Sequence, residues 1–263
     1  MSLKYQIINS GYCLHSEFST IRTGKASQIQ IPANFVLIKH NEYGYILFDT
    51  GYSNRFYDAT KHFPYNIYAK ITKVFTAENQ SAINQLLKLG IEPDDVKYVF
   101  ISHFHADHIC GLKDFVNAKY ICSQVAYQNI KNKTGFKALL KGFLPKLLPN
   151  DFINRVQFIE DFPQVDFNNL VKGYDIFNDK SLIAIRLDGH TEGQIGLILN
   201  SNTLLAADAC WNPKTYKDFI LPPDYVLNIL GNKKQYMDTV KILNKLSSEN
   251  KIKIILSHYN SEE

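Results

Sequence analysis

A chain of 263 residues with 45% hydrophobic and 21% charged residues can bury a full core, which excludes a disordered or low-complexity polypeptide. Its 29 lysines and arginines against 25 acids leave a net charge of +4, scattered along the chain and too weak for a nucleic-acid interface. Lys4, Gln6, Asn9 and Ser10 interrupt the apolar stretch a signal peptide needs, and no apolar run is long enough to span a membrane. Cys13, Cys110, Cys122 and Cys210 form no CxxC pair and read as free thiols of a cytoplasmic protein.

The first clear elements are two β-branched and aromatic runs, Asn34 to Lys39 and Tyr43 to Phe48, which predict a hairpin around Asn41-Glu42. Asp49-Thr50-Gly51 stops its second strand. Residues 52–78 then carry Tyr52, Phe56, Tyr57, Phe63, Tyr65, Tyr68 and Phe75 with little periodicity, as expected of a packed insert or lid. Apolar positions at Ile83, Leu86 and Leu87 predict a helix over Gln80 to Leu89, closed by Gly90. A strand from Lys97 to Ile101 runs into a histidine cluster, and Ala118 to Cys122 predicts the next.

Residues 124–150 read as a helical cover, cut into pieces by Gly135, Gly142, Pro145 and Pro149. Further strands are predicted at Val156 to Ile159, Tyr174 to Phe177, Ser181 to Leu187, Ile195 to Leu199 and Thr203 to Ala206. Met237, Val240, Leu243 and Leu246 mark a helix from about Lys233 to Leu246, and a last strand, Lys253 to Leu256, ends at Ser257-His258. No composition break or repeat divides the chain, so 1–263 is expected to form one domain. Strand blocks with helices between them predict two mixed sheets packed face to face under helices.

Three of the eight histidines fall at 103, 105 and 108, with Asp107 among them. Strand alternation turns His103 and His105 to one side, and a sharp turn brings Asp107 and His108 beside them. Imidazoles and a carboxylate suit zinc, with iron or manganese as alternatives. One tetrahedral ion cannot use all four and stay open for catalysis, which points to two. Asp188-Gly189-His190-Thr191-Glu192-Gly193 projects His190 from a glycine-bracketed turn, Asp208 follows a strand, and His258 ends the last one.

This order, HxHxDH, then GH in a turn, then Asp after a strand, then a late His, resembles the metallo-β-lactamase superfamily from about Asn34 to His258. The resemblance implies an α/β fold, a four-layer αββα sandwich, with the site at the rim between the sheets. It implies two divalent metal ions, one held by His103, His105 and His190, the other by Asp107, His108 and His258, with Asp208 bridging both. A hydroxide between the ions would attack the substrate, and Asp107 would pass a proton to the leaving group. Asp49 matches the family's early acidic turn that supports a metal-binding histidine, or it caps its own backbone.

Length and layout are most similar to the N-acyl homoserine lactonases, which implies hydrolysis of a small ester-like bond, a lactone first. Phosphodiester or thioester hydrolysis, or a metal-binding sensor without turnover, are the other readings. Those lactonases place a tyrosine three residues after the bridging aspartate; here that residue is Trp211. Either Trp211 contacts the substrate carbonyl, or Tyr216 or Tyr225 replaces it, or the substrate differs, and a packing role in a pocket wall stays open. The insert aromatics are expected mostly to pack, with one or two lining the pocket for a small-molecule substrate; a homodimer contact is the alternative. His15, His40 and His62 match no motif and read as surface or hydrogen-bonded residues.

Overall fold

Among the described residues of the computed structural model, 3–249 and 251–260, thirteen strands divide between two sheets. The first sheet takes β1 (Lys4–Ser16), β2 (Gln28–His40), β3 (Gly44–Phe48), β4 (Lys73–Phe75), β5 (Val96–Phe100), β6 (Lys119–Cys122) and β7 (Val156–Phe158). They lie in the order β4-β1-β2-β3-β5-β6-β7. The second takes β8 (Gln164–Phe167), β9 (Val171–Asp175), β10 (Leu182–Arg186), β11 (Ile195–Leu199), β12 (Thr203–Leu205) and β13 (Lys253–Ile255), in the order β13-β12-β11-β10-β9-β8. Both sheets are mixed: β3, β5, β6 and β7 pair in parallel, as do β12 and β13, and the remaining pairs are antiparallel.

Period-two alternation sorts the strand residues into layers. Val36 and Ile38 of β2, Ile46 and Phe48 of β3, and Phe100 of β5 meet Leu182, Ala184, Leu197 and Leu205 of the second sheet in a core between the sheets. The intervening positions Phe35, Leu37, Leu47 and Val99 turn the other way, onto Leu86, Ala126 and Phe152 of the flanking helices. On the second sheet, Ile183, Ile185, Ile198 and Leu204 pack on Val240, Leu243 and Leu246 of the helix Lys233–Ser248. Helices outside and sheets inside make the four-layer αββα sandwich. Because both faces of β10 and β11 are covered, those strands read as nearly continuous apolar runs.

The predicted hairpin is present, with β2 beginning earlier, at Gln28. Residues 52–78 fold as short helices, Arg55–Ala59 and Asn66–Ile71, followed by β4. This insert is tied to the helical cover: Gly135 N–H donates to the Tyr65 hydroxyl at 2.7 Å, and Phe63 meets Phe136 edge-on at 5.5 Å. Among the described residues, no helix is long and apolar enough to cross a membrane.

Candidate metal centre

The parallel strands β3 and β5 end side by side, Phe48 opposite Phe100. Asp49 then donates its N–H to the Phe100 carbonyl at 2.8 Å, and its positive φ of 62° folds the chain over the strand ends. Its buried carboxylate receives the Ser102 N–H at 2.8 Å, the Ser102 hydroxyl at 2.7 Å and His108 Nδ1 at 2.7 Å. Strand geometry stops at Phe100, so His103 and His105 stand on the loop beyond it. One helical turn, Ala106–Ile109, carries Asp107 and His108 back beside them. The His103 ring lies 4.5 Å from that of His105 and 4.1 Å from that of His108.

The second sheet brings the other three residues. After β10 the chain turns through Asp188, whose Oδ1 accepts the Gly193 N–H at 2.6 Å and Arg186 Nη2 at 2.6 Å. That turn is pinned to the C-terminal helix by the Thr239 hydroxyl on the Asp188 carbonyl and by the Asn232 N–H on the Gly189 carbonyl. His190 projects from it, its ring 4.8 Å from His105. The parallel pair β12–β13 continues past its ends, with Ala206 N–H on the Ile255 carbonyl and Ser257 N–H on the Ala207 carbonyl. Asp208 and His258, fifty residues apart, thereby meet: His258 Nε2 lies 3.0 Å from Asp208 Oδ2.

All seven predicted ligands are gathered at one place. Three sets of potential ligand atoms each fall within 4.8 Å: His103, His105 and His190; His103, His108 and Asp208; and Asp107, His108 and His258. Asp208 spans them, with Oδ2 3.4 Å from His190 Nε2 and Oδ1 3.2 Å from His108 Nε2. Hydrogen bonds to the distal nitrogens aim the rings. His258 Nδ1 donates to the Pro32 carbonyl at 2.6 Å and His108 Nδ1 to Asp49, which leaves both Nε2 atoms facing inward. The Ser102 hydroxyl sits 3.1 Å from His103 Nδ1, with the same result for that ring.

These residues fit a pair of divalent cations. His103 Nε2 is buried without a hydrogen-bond partner, His108 Nε2 and Asp208 Oδ1 have only each other at 3.2 Å, and His190 Nε2 faces His105 Nδ1 at 3.0 Å, nitrogen against nitrogen. Burying polar atoms unpaired is costly, and a cation among them removes that cost. Burial holds His103 well below the usual imidazole range and takes His190 down to about 3, so both present neutral lone pairs. Burial lowers His108 and His258 too, but it is outweighed by Asp107, Asp49 and Asp208 around the first and by Asp208 and Asp107 around the second. Both are held well above 6.5, so a cation displaces protons there.

Trp211 donates its indole N–H to Asp208 Oδ2 at 3.1 Å and lies edge-on to His190 at 5.4 Å. Tyr216 is buried in the core behind the second sheet, and Tyr225 is exposed on the helix Asp224–Leu230. His40 is buried and bonded to the Ser181 hydroxyl, and His62 is exposed. His15 is half-buried on β1, and burial lowers it from the usual imidazole range. Ser102 is the residue that sequence reasoning misses altogether. One hydroxyl links Asp49, His103 and His108, and its only sequence signal is its place directly before the cluster.

A four-layer sandwich with five histidines and two aspartates at its rim defines a metal-binding αββα fold. The chain belongs to the metallo-beta-lactamase superfamily, whose family model matches residues 30–243. Among its relatives, the N-acyl homoserine lactonase AttM of Rhizobium radiobacter is 29% identical over 233 residues, covering 85% of this chain and 79% of that one. The N-acyl homoserine lactonase AiiA of Bacillus thuringiensis subsp. kurstaki is 24% identical over 225 residues, covering 82% and 79%. A solved N-acyl homoserine lactone hydrolase with N-hexanoyl-L-homoserine at its catalytic metal center superposes with a TM-score of 0.76 at 19% identity, over 98% of this chain and 94% of that one. AidC, a dizinc quorum-quenching lactonase solved with a product, gives 0.67 at 19% identity, over 97% and 87%.

Proposed function

We propose that this chain is a dinuclear metal-dependent hydrolase that opens lactone rings, N-acyl homoserine lactones foremost, with zinc as the metal. The observation that carries the reading is the convergence of His103, His105, Asp107, His108, His190, Asp208 and His258 from both sheets, with His103 Nε2 buried and unpaired at its middle. The relatives named lactonases supply the bond type. Exposed aromatic surface supports an acyl substituent: Phe63 and Phe136 meet where insert and cover join, and the same cover passes against the His105 ring at Gly142. Four unpaired thiols support a cytoplasmic location.

His103, His105 and His190 would hold one cation, Asp107, His108 and His258 the other, and Asp208 would bridge. Bound there, divalent cations lower the pKa of water from ~15.7 to about 7 and polarise the substrate carbonyl. The protein side chains supply the rest. Asp107 meets His258 at 3.2 Å and His108 at 3.6 Å, both through Oδ2, which leaves Oδ1 to take the proton released as water adds to the carbonyl carbon and to return it to the ring oxygen as the ring C–O bond breaks. Asp49 and Ser102 hold the His108 and His103 rings in place while that happens.

The test is metal content followed by hydrolysis of acyl homoserine lactones, thioesters, aryl esters and phosphodiesters. Two equivalents of metal and fastest turnover of the lactones are expected, with Asp107→Asn lowering kcat by ~10²–10⁴-fold. Cleavage of phosphodiesters alone would overturn the substrate class and leave the centre standing. Absence of bound metal would overturn both.

A further inference from the structure

Resting on the metal centre proposed above, we infer that Trp211 is a positioning residue for the bridging carboxylate, its indole N–H committed to Asp208 and not to the substrate carbonyl. Asp208 Oδ2 has three nitrogens around it: His258 Nε2 at 3.0 Å, Trp211 Nε1 at 3.1 Å and His190 Nε2 at 3.4 Å. Two of the three are imidazole nitrogens, which must present lone pairs, not protons, when they hold a cation. The indole N–H has no such alternative. It donates and cannot accept, so with the histidines engaged it is the hydrogen bond that remains on Oδ2 among these contacts. A carboxylate that spans two sets of ligands, Oδ1 toward His108 and Oδ2 toward His190 and His258, must keep its plane fixed. The Trp211 ring also lies edge-on to His190 at 5.4 Å, so the same indole touches a second residue of the proposed centre.

Two consequences follow for this chain. An indole has one polar hydrogen, so a donor spent on Asp208 is not available to a substrate oxygen. Trp211 is also the single tryptophan of the sequence, so intrinsic emission reports on the metal centre without a label.

The experiment uses the metal-loaded protein and zinc itself as the probe. Stripping zinc with a chelator and adding it back should change the tryptophan emission, saturating with the zinc equivalents that bind. Trp211→Phe should weaken at least one zinc equivalent by about 10–100-fold in chelator competition, with the far-UV spectrum unchanged. Emission indifferent to bound zinc would overturn the inference while leaving the metal centre intact. The inference also fails if Trp211→Phe binds both equivalents normally but loses kcat/KM, because the indole would then serve the substrate. The emission titration needs only the unmodified chain, so a null result there overturns the inference even if the variant fails to fold. Should the wild-type protein bind no zinc at all, the metal centre and the inference fall together.

Discussion

Asp49 and His108 are 59 residues apart and share the shortest contact at the centre involving a proposed histidine ligand and another side chain, 2.7 Å between Oδ2 and Nδ1. Charge is not the only thing at stake there. The carboxylate accepts three hydrogen bonds, from the Ser102 N–H, the Ser102 hydroxyl and His108 Nδ1–H, and accepting all of them needs two oxygens and no proton. Asp49→Asn replaces one oxygen with an NH2 donor. If that donor faces His108, Nδ1 must become the acceptor and the ring proton moves to Nε2, the atom that would bind metal. If it faces Ser102, the backbone N–H there loses its acceptor. Asparagine tolerates the positive φ of 62° at this position, so the backbone is spared. Metal affinity should fall about 10–100-fold in chelator competition, with thermal stability of the metal-free protein nearly unchanged. An affinity equal to wild type would assign Asp49 to turn capping alone. At this scale the clustered residues were legible in the sequence, because seven histidines and aspartates form a recognisable order and the fold brings all seven together. The support of Asp49 was not, since a turn-capping aspartate and a histidine-orienting one look alike until the chain is folded. Ser102 was invisible for the same reason.

At the scale of elements, the centre depends on how three strand-end turns are held. The turn carrying His190 is the most demanding. Gly189 has φ +130°, a conformation essentially reserved for glycine, and a Cβ there would overlap the backbone N and Cα of Tyr236. Tyr236 lies on the helix Lys233–Ser248, whose Val240, Leu243 and Leu246 are locked in the core, so the obstacle cannot rotate aside as a side chain would. Gly189→Ala is therefore expected to cost at least ~1–3 kcal/mol in urea unfolding from backbone strain. It should also displace His190, so bound metal per chain should drop. Normal metal content and full stability in that variant would mean that the turn is not held as described. Element boundaries were readable where alternation is clean, as for β11, found at Ile195–Leu199 as predicted. They were not readable at β1, where a register break between Asn9 and Tyr12, with Gly11 at φ +125°, interrupts the period-two pattern within a half-polar strand. β8 is a polar edge strand, Gln-Val-Asp-Phe, whose pairing with β9 supplies what its side chains do not advertise. β9 itself begins at Val171, earlier than expected, because Lys172 and Gly173 dilute its apolar signal.

At the scale of the molecule, the question is whether the two sheets unfold together, and the four cysteines are placed to answer it. Cys13, Cys110 and Cys122 lie in the core behind the first sheet, and Cys210 in the core behind the second. All four are buried free thiols, and burial pushes Cys13 up to about 12 and raises the other three as well. In the native protein near pH 8 they are both inaccessible and protonated, so an alkylating reagent should leave them untouched. Unfolded, each returns to ~8.5 and reacts. Separating the sheets would expose Val36, Ile38, Phe48 and Phe100 on one side and Leu182, Leu197 and Leu205 on the other. Each such side chain loses about 1.5–3 kcal/mol of burial, which over these seven is as large as a domain's usual margin of ~5–15 kcal/mol. We therefore propose that 1–263 is one cooperative domain, in which neither half survives alone. A short pulse of iodoacetamide across a urea series, read by intact mass, should give chains with no adduct or four, in proportions that shift at a single midpoint. A population carrying one adduct, on Cys210, or three, on Cys13, Cys110 and Cys122, would divide the chain into two units at the plane between its sheets. The proposed metal ligands, drawn from both sides of that plane, would then come apart at the first transition and not at the last.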